Sequence, residues 1–264
     1  MTMQVAIVIL SKDNYKLLTT CLNSIDKHTV DTKYKLYICD TGSTDTNLQK
    51  LVTYLKNNYS KETCELLQLD HYHFASNNND IIREHVKEPW VLMCNDDIEF
   101  QTNCVDAMLK WGESKAHVGS IGCRLLFPDS TVQHAGQIAY VDEHGFLQCT
   151  HRGYKKQDTY GTCKVVGNTA AMMLTRRDTF LDSGGFDEIY TECWEDIQLN
   201  MRYILSGLDN WYLDHVHATH HESMTRLQDA PAKYKLRYDY TYKLKPWFDA
   251  LDISKQRYIL DYAD

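Results

Sequence analysis

The chain has 264 residues, of which 43% are hydrophobic and 24% are charged, values that are ordinary for a globular protein. This length accommodates either one large α/β domain or one domain with an extra lobe, and we favour a single unit. The composition excludes a disordered or fibrous protein. The formal net charge of -8, from 28 Lys+Arg and 36 Asp+Glu, argues against nucleic acid as the main partner.

The first half of the chain alternates apolar runs with helical spacing, the pattern of βαβ units around a parallel sheet. Val5 to Leu10 predict a buried first strand, and a helix follows with Asp13 or Asn14 as its N-cap. The same reasoning predicts strands at 34–39, 65–69 and 90–94, a helix around 48–55, and a helix from about 79 to 86.

The second half of the chain is less regular. Strands are predicted at 119–127 and 170–174, with excursions and short hairpins between 132 and 163. Ile197, Met201 and Ile204 predict a helix directly after Trp194-Glu195-Asp196, closed by Gly207. We therefore expect an α/β fold with a doubly wound, Rossmann-like, mostly parallel sheet flanked by helices.

Polar clusters fall at the carboxyl ends of the predicted strands, the edge at which open parallel sheets bind ligands. Residues 11–14 follow the first strand, residues 40–45 the second and residues 95–97 the fourth. The run Asn95-Asp96-Asp97-Ile98-Glu99 is predicted to lie between a strand and a helix. Its neighbouring carboxylates suit a hard divalent cation completed by phosphate oxygens. Helix-capping acids in a turn are the alternative.

Two further motifs carry chemistry. Trp194-Glu195-Asp196 begins a helix, where two acids either complement the helix dipole or hold a general base on a rigid platform. His220-His221-Glu222-Ser223 with Arg226 either place an imidazole on a metal and a guanidinium on a diphosphate, or form a solvated loop. Together the motifs supply what is needed to transfer a group away from a nucleotide diphosphate.

In order and spacing, the sequence resembles the family 2 inverting glycosyltransferases with the glycosyltransferase-A fold, over roughly residues 4 to 226. The matching segments are Val8-Ile9-Leu10-Ser11, Asp40-Thr41-Gly42-Ser43-Thr44-Asp45, Phe74-Ala75 with Asn79, Leu92-Met93-Cys94-Asn95-Asp96-Asp97-Ile98-Glu99, Arg124-Leu125-Leu126-Phe127-Pro128-Asp129, Gln133-His134-Ala135-Gly136, Gly184-Gly185-Phe186-Asp187-Glu188, Trp194-Glu195-Asp196 and His221-Glu222-Ser223.

The resemblance implies a site for a nucleotide-sugar donor, linked to UDP or dTDP. Asp40 is expected to read the nucleobase, with Ser11 and Ser43 beside it. Asn79 is expected to help hold the nucleotide, and Arg226 to contact the diphosphate.

The resemblance also implies a metal cofactor, Mn²⁺ or Mg²⁺. Asp97 is the expected principal ligand, and Asp96 is expected to contact the ribose or a metal-bound water. His221 resembles a ligand of the metal or the diphosphate. Asn95 stands where the family has an acid, a departure that bears on metal affinity.

For catalysis, Asp196 matches the position of the family's base, and Glu195 is the alternative candidate. The segment 167–170 matches the one near the donor sugar and the acceptor. The implied mechanism is a single displacement: Asp196 deprotonates a hydroxyl of a glycan, glycoprotein or glycolipid acceptor. That oxygen attacks the anomeric carbon opposite the nucleotide, so the configuration inverts, while the cation, His221 and Arg226 stabilise the charge on the diphosphate.

The implied catalytic domain spans 1–230, with a nucleotide-binding half of about 1–100 and an acceptor-binding half of about 101–230. Residues 231–264 interleave aromatic with basic side chains and are expected to form a helical extension. This extension either packs on the core or binds acceptor glycan, a membrane surface or a second subunit.

Two other functions fit parts of the pattern. A sugar-nucleotide or glycan-binding domain without activity has the same fold, but the combination of Asp97, Asp196 and His221 argues against it. A nucleotidyltransferase needs a Gly-rich loop after the first strand, and residues 11–14 contain no glycine.

The sequence also bears on where the protein works. No apolar run reaches transmembrane length, and the opening stretch lacks a basic region, so membrane contact is expected to be peripheral or through a partner. Nine cysteines occur singly without a C-x-x-C pair, which indicates free thiols in a reducing compartment. We therefore expect a cytoplasmic protein.

Overall fold

The computed structural model describes residues 3–190, 193–221 and 237–263. Its strands are β1 (Val5–Ser11), β2 (Tyr34–Asp40), β3 (Cys64–Gln68), β4 (Trp90–Cys94), β5 (Ile98–Phe100), β6 (Val118–Leu126), β7 (Val132–His134), β8 (Gln137–Val141), β9 (Leu147–His151), β10 (Cys163–Lys164), β11 (Met172–Arg176) and β12 (Asp209–His220). Its helices are α1 (Tyr15–His28), α2 (Asp45–Asn58), α3 (Phe74–Glu84), α4 (Cys104–Glu113), α5 (Arg177–Asp182), α6 (Glu195–Leu205), a π-helix (Tyr240–Leu244), α7 (Lys245–Asp249) and α8 (Ile253–Leu260).

Ten strands form one sheet, in the order β10-β12-β6-β11-β4-β1-β2-β3, with β5 paired to β12 and β7 to β6. The run β4-β1-β2-β3 is parallel, and so is the pair β6-β12. The antiparallel strand β11 joins these two parts. The predicted α/β fold with a mostly parallel sheet flanked by helices is confirmed.

The core lies on both faces of the sheet, as the first strand illustrates. Every residue of β1 is buried. Val5, Ile7 and Ile9 pack into the hydrophobic cluster on one face. The alternate residues Ala6 and Val8 pack with Leu10 into the cluster on the other face. Because side chains alternate along a strand, a sheet covered by helices on both faces requires a continuous apolar run.

Three elements differ from those predicted. The third helix begins at Phe74 rather than near Asn79, because the His73 imidazole accepts a hydrogen bond from the Ser76 amide and caps it. The short strand β5 occupies the place where a helix was expected to follow Asn95–Glu99 directly. The long strand β12 was not predicted, because polar residues interrupt its apolar pattern.

The C-terminal helices pack against α6 and the β8-β9 hairpin. Leu244, Phe248 and Ile259 share a hydrophobic cluster with Ile197 and Met201 of α6. Some aromatic side chains of this extension, such as Phe248, therefore contribute to a hydrophobic core. Among the helices that the structure describes, none is long and apolar enough to cross a membrane.

Candidate functional site

The carboxyl ends of β1, β2 and β4 meet at one edge of the sheet. Ser11, the last residue of β1, pairs in register with Asp40, the last residue of β2. The Ser11 hydroxyl donates a 2.7 Å hydrogen bond to Asp96 Oδ2, in the loop that follows β4. The structure thus brings together three of the predicted site residues.

Asp40 holds the turn that follows β2. Its Oδ2 accepts hydrogen bonds from the amides of Gly42, at 3.3 Å, and Ser43, at 3.2 Å. The Ser43 hydroxyl in turn accepts one from the Asp13 amide at 2.8 Å. Asp40 Oδ1 is buried and has no hydrogen-bond partner within the described part of the chain. An unsatisfied buried carboxylate oxygen at a ligand-binding edge is a ready acceptor for a bound molecule.

Asp96, which is hydrogen-bonded to Ser11 at this edge, has a pKa that differs from its ordinary value. The pKa of its carboxyl group is raised to about 6, chiefly by burial and also by the neighbouring charge of Asp97, against the hydrogen bond from Ser11. A carboxyl group whose pKa is raised in this way is typical of functional sites.

The next carboxylate, Asp97, faces a histidine from the distant strand β12. His220 Nε2 lies 3.1 Å from Asp97 Oδ1, and the imidazole is largely buried. The other ring nitrogen, Nδ1, lies 2.7 Å from Gln133 Oε1 on β7. The Asn95 amide nitrogen lies 3.4 Å from His220 Nε2.

His221, the histidine that the resemblance selects, has a different environment. Its Nε2 lies 2.9 Å from Glu99 Oε2, and its backbone amide donates to the Asp97 carbonyl at 3.0 Å. The structure therefore brings His221 beside the acidic loop, but its imidazole bonds to Glu99 while His220 faces Asp97.

The pair Asp97 and His220 fits a divalent cation that takes few protein ligands. Two ligand atoms at right angles, each about 2.1 Å from Mg²⁺ or a similar ion, are about 3.0 Å apart. The observed distance between Asp97 Oδ1 and His220 Nε2 is 3.1 Å, and that oxygen is buried without a hydrogen-bond partner among the described residues. Within those residues, no group of three or more His, Cys, Asp or Glu side chains is arranged to hold a metal ion. Substrate phosphate and water would complete such a site.

A cavity of about 340 Å³ connects this region to the start of α6. Asn95 and His220 line one part of it, and Glu195 and Asp196 line another. Thr169 of the matched segment 167–170 lies on its wall. This volume is at the lower end of the range that holds small-molecule ligands.

Asp196 is held rigidly at the start of α6. Its Oδ2 accepts a hydrogen bond from the Ala170 amide at 3.1 Å, and its Oδ1 accepts one from the Ile197 amide at 2.7 Å. The preceding Trp194 has a φ of 82°, a left-handed conformation that is unusual for a residue with a side chain. Glu195 is also buried and lines the same cavity.

A buried polar network anchors this helix to the sheet. Its side chains, Ser120, Asn168, Asn200 and Asn210, are each 0% exposed. The Asn200 amide donates to the Asp196 carbonyl at 2.7 Å and to the Asn168 carbonyl at 3.0 Å. Asp196 lines the cavity and Asn168 precedes the lining residue Thr169, so Asn200 fixes the start of α6 against the segment 167–170.

Replacing Asn200→Ala is expected to lower the free energy of unfolding by about 1–3 kcal/mol, because buried hydrogen-bonding groups lose their partner. Urea denaturation measures this loss. The exposed Asn57, on α2, offers a matched control, and Asn57→Ala should change stability by less than about 0.5 kcal/mol. Equal urea midpoints for Asn200→Ala and the unmodified protein would contradict the anchoring role.

Comparison with known proteins identifies the family. Residues 6–183 match the sequence model of the family described as Glycosyl transferase family 2. The chain belongs to this family. Along 93% of its length, this family 2 protein is 28% identical to the O-antigen biosynthesis protein RfbC of Myxococcus xanthus, and it spans 19% of that relative.

Solved structures support the fold. One is GalNAc-T7 with UDP, GalNAc and Mn²⁺, with a TM-score of 0.68 and 13% identity, covering 98% of this chain and 55% of that one. Another is S. aureus TarS with UDP-GlcNAc, with a TM-score of 0.67 and 16% identity, covering 98% of this chain and 70% of that one. The expected glycosyltransferase-A fold is confirmed.

Asn79, which was predicted to bind the nucleotide, forms its hydrogen bonds with residues of another segment. The Asn79 amide group accepts from the Phe186 amide at 2.8 Å and donates to the Phe186 carbonyl at 2.8 Å and to Glu188 Oε1 at 2.9 Å. Asn79 lines a second cavity, of about 650 Å³, with Arg83. Its contact with nucleotide stays a prediction. Arg226 lies outside the described residues.

Gln133 receives no role from the sequence in this family 2 protein, although it opens the matched segment Gln133-His134-Ala135-Gly136. Its bond to His220 joins residues 87 positions apart. The sequence signal for Gln133 is its place in this motif. A polar residue that is buried on a short strand needs a hydrogen-bond partner.

Proposed function

We propose that this family 2 protein is an inverting, metal-dependent glycosyltransferase. It moves a sugar from a UDP- or dTDP-linked donor to a hydroxyl group of a glycan or glycoconjugate acceptor. The observation that carries the proposal is the cavity that joins the acidic start of α6 to His220 and Asn95 beside Asp97. A base and a cation site at two ends of one cavity are the parts that a single displacement needs.

The cation site is proposed at Asp97 with one of the two adjacent histidines. The resemblance favours His221, whereas the distance of 3.1 Å to Asp97 Oδ1 supports His220. A bound Mn²⁺ or Mg²⁺ supplies positive charge that neutralises the departing diphosphate. The Mn²⁺ and UDP named for GalNAc-T7 agree with this proposal.

Asp40 is proposed to accept a hydrogen bond from the nucleobase through its buried Oδ1. Asp40→Asn keeps an acceptor for the turn amides but removes the charge, so it is expected to weaken UDP binding by about tenfold or more. Isothermal calorimetry measures the change, and a thermal melt checks that the fold is kept. A crystal soaked with UDP in which Asp40 lies remote from the base would refute the role.

Asp196 is proposed as the general base. The two amide donors orient its carboxylate, and each oxygen keeps a lone pair beyond the one it uses, since a carboxylate has about four acceptor positions. Asp196 removes the proton of the acceptor hydroxyl as the oxygen attacks the anomeric carbon from the face opposite the nucleotide. Glu195 remains the competing candidate.

The acceptor and the compartment are proposed on separate grounds. The relative RfbC is named for O-antigen biosynthesis, which supports a polysaccharide acceptor. None of the nine cysteines, all of which lie in the described part of the chain, forms a disulfide, which supports a reducing compartment such as the cytoplasm.

A screen of nucleotide sugars for hydrolysis and binding in the presence of Mn²⁺ tests the proposal. Turnover of one donor, with release of its nucleoside diphosphate, supports a glycosyltransferase and names the sugar. Tight binding of a nucleotide sugar without turnover, alone or with oligosaccharide acceptors, would instead support a binding domain of the same fold.

A further inference from the structure

We propose that Gln133 is a positioning residue that fixes the tautomer and orientation of His220, so that Nε2 keeps its lone pair beside Asp97. The use assigned to that lone pair, cation binding, rests on the proposed function. The contact between the two side chains does not.

The two residues meet from opposite sides of one strand. Leu125 of β6 pairs with His134 of β7 and also with Ala218 of β12. Gln133 and His220 are therefore brought to the same end of the sheet, where they are 4% and 6% exposed. At this burial a polar side chain is costly without a partner, and each is the other's partner at 2.7 Å.

The hydrogen bonds on the two ring nitrogens indicate the same tautomer. Gln133 Oε1 accepts, so His220 Nδ1 carries the hydrogen and donates. On the opposite side the Asn95 amide nitrogen lies 3.4 Å from Nε2, and an amide NH₂ group only donates. Nε2 is therefore an acceptor without a hydrogen. Asp97 Oδ1 lies 3.1 Å from Nε2 but has no hydrogen-bond partner among the described residues, so no ring hydrogen points at the carboxylate.

This arrangement gives Asn95 a use as well. An acid at position 95 would accept a hydrogen from Nε2 at the place from which the Asn95 amide donates, whereas that amide favours the lone pair. The side-chain amides of Gln133 and Asn95 lie on the two sides of the ring and thus hold the imidazole with Nε2 unprotonated. A ring nitrogen must be unprotonated to bind a metal.

Nitrogen-15 NMR of the 264-residue chain labelled on histidine tests the proposal directly, since the two tautomers give different ring-nitrogen shifts. At mildly alkaline pH, without metal, His220 is expected as the Nδ1–H tautomer, with its signal assigned by loss in His220→Asn. Gln133→Met, which has a similar shape but only a weak thioether acceptor, is expected to introduce the Nε2–H tautomer. Gln133→Glu restores an acceptor and should retain Nδ1–H.

Mn²⁺ binding, followed by the electron paramagnetic resonance of the free ion, provides the second measurement. Gln133→Met should weaken binding by about 10–100-fold, while Gln133→Glu stays near the unmodified protein. Gln137→Met is the matched control, because Gln137 is another buried glutamine that lines the same cavity. It should leave both the tautomer and the Mn²⁺ affinity unchanged.

The proposal is overturned if His220 is the Nε2–H tautomer in the unmodified protein, or if Gln133→Met leaves it as Nδ1–H. If the tautomers change as expected but the unmodified protein does not bind Mn²⁺, Gln133 keeps its positioning role and the metal site of the proposed function is wrong. The two hypotheses therefore fail separately.

Discussion

A protein carrying Asp97→Ala is expected to bind UDP with a single affinity, whether or not Mn²⁺ is present. In the unmodified protein Mn²⁺ should strengthen UDP binding, because a cation held by the Asp97 carboxylate would neutralise charge on the diphosphate. Removing a metal ligand should weaken Mn²⁺ binding by at least about 100-fold, because changes to the residues around a ligand already reach that size. Calorimetry with UDP, with and without Mn²⁺, measures both values.

The control for this experiment is an acid outside the cavity. The side chain of Asp178 is 87% exposed, so Asp178→Asn should keep the full effect of Mn²⁺. Parallel measurements on His220→Gln and His221→Gln decide which histidine assists Asp97, and the geometry predicts the larger loss for His220. If Asp97→Ala still binds UDP more tightly with Mn²⁺, the metal role of Asp97 is wrong.

The parallel part of the sheet was predictable because strands that are buried on both faces have continuous apolar sequences. A strand covered by helices on both faces must be apolar at every position, as in Val5–Leu10 and Trp90–Cys94. The end of such an apolar run also marks the carboxyl end of the strand. The chain order therefore placed Ser11, Asp40 and Asp96 at the edge where ligands bind.

The strand that carries His220 was not predictable in the same way. β12 places Asp214 and His215 in its middle, and Asp214 is there because it forms an ion pair with Arg124 on β6, which is distant in sequence. Neighbouring side chains of a strand face opposite sides. Without knowing that a strand ends at His220, the sequence cannot decide whether His220 or His221 faces Asp97.

Asn79 illustrates a second limit. Its motif resembles one that binds nucleotide, yet its amide bonds to Phe186 and Glu188, more than 100 positions later in the chain. A motif specifies a residue type at a position, but the partner of that residue comes from the tertiary packing. A buried asparagine that clamps a loop and one that holds a ligand therefore have the same signature in the sequence.

Asp196→Asn is expected to reduce the rate of sugar transfer by about 10²–10⁴-fold, while the affinity for the nucleotide stays nearly unchanged. The amide keeps a similar shape and still accepts a hydrogen bond, from either Ala170 or Ile197, so the start of α6 should keep its position. The variant removes only the ability to take a proton in the transition state. Single-turnover kinetics with the donor found by the screen, together with calorimetry for the nucleotide, separate these two effects.

Glu195→Gln is the necessary comparison, because Glu195 lies on the same turn and lines the same cavity. The hydrogen bonds that orient the Asp196 carboxylate from two backbone amides favour Asp196, since a base has to be held at a fixed place beside the acceptor hydroxyl. Transfer at a nearly unmodified rate by Asp196→Asn, with an inactive Glu195→Gln, would assign the base to Glu195. Activity in both variants would mean that neither carboxylate removes the proton, and the proposed single displacement would need another base.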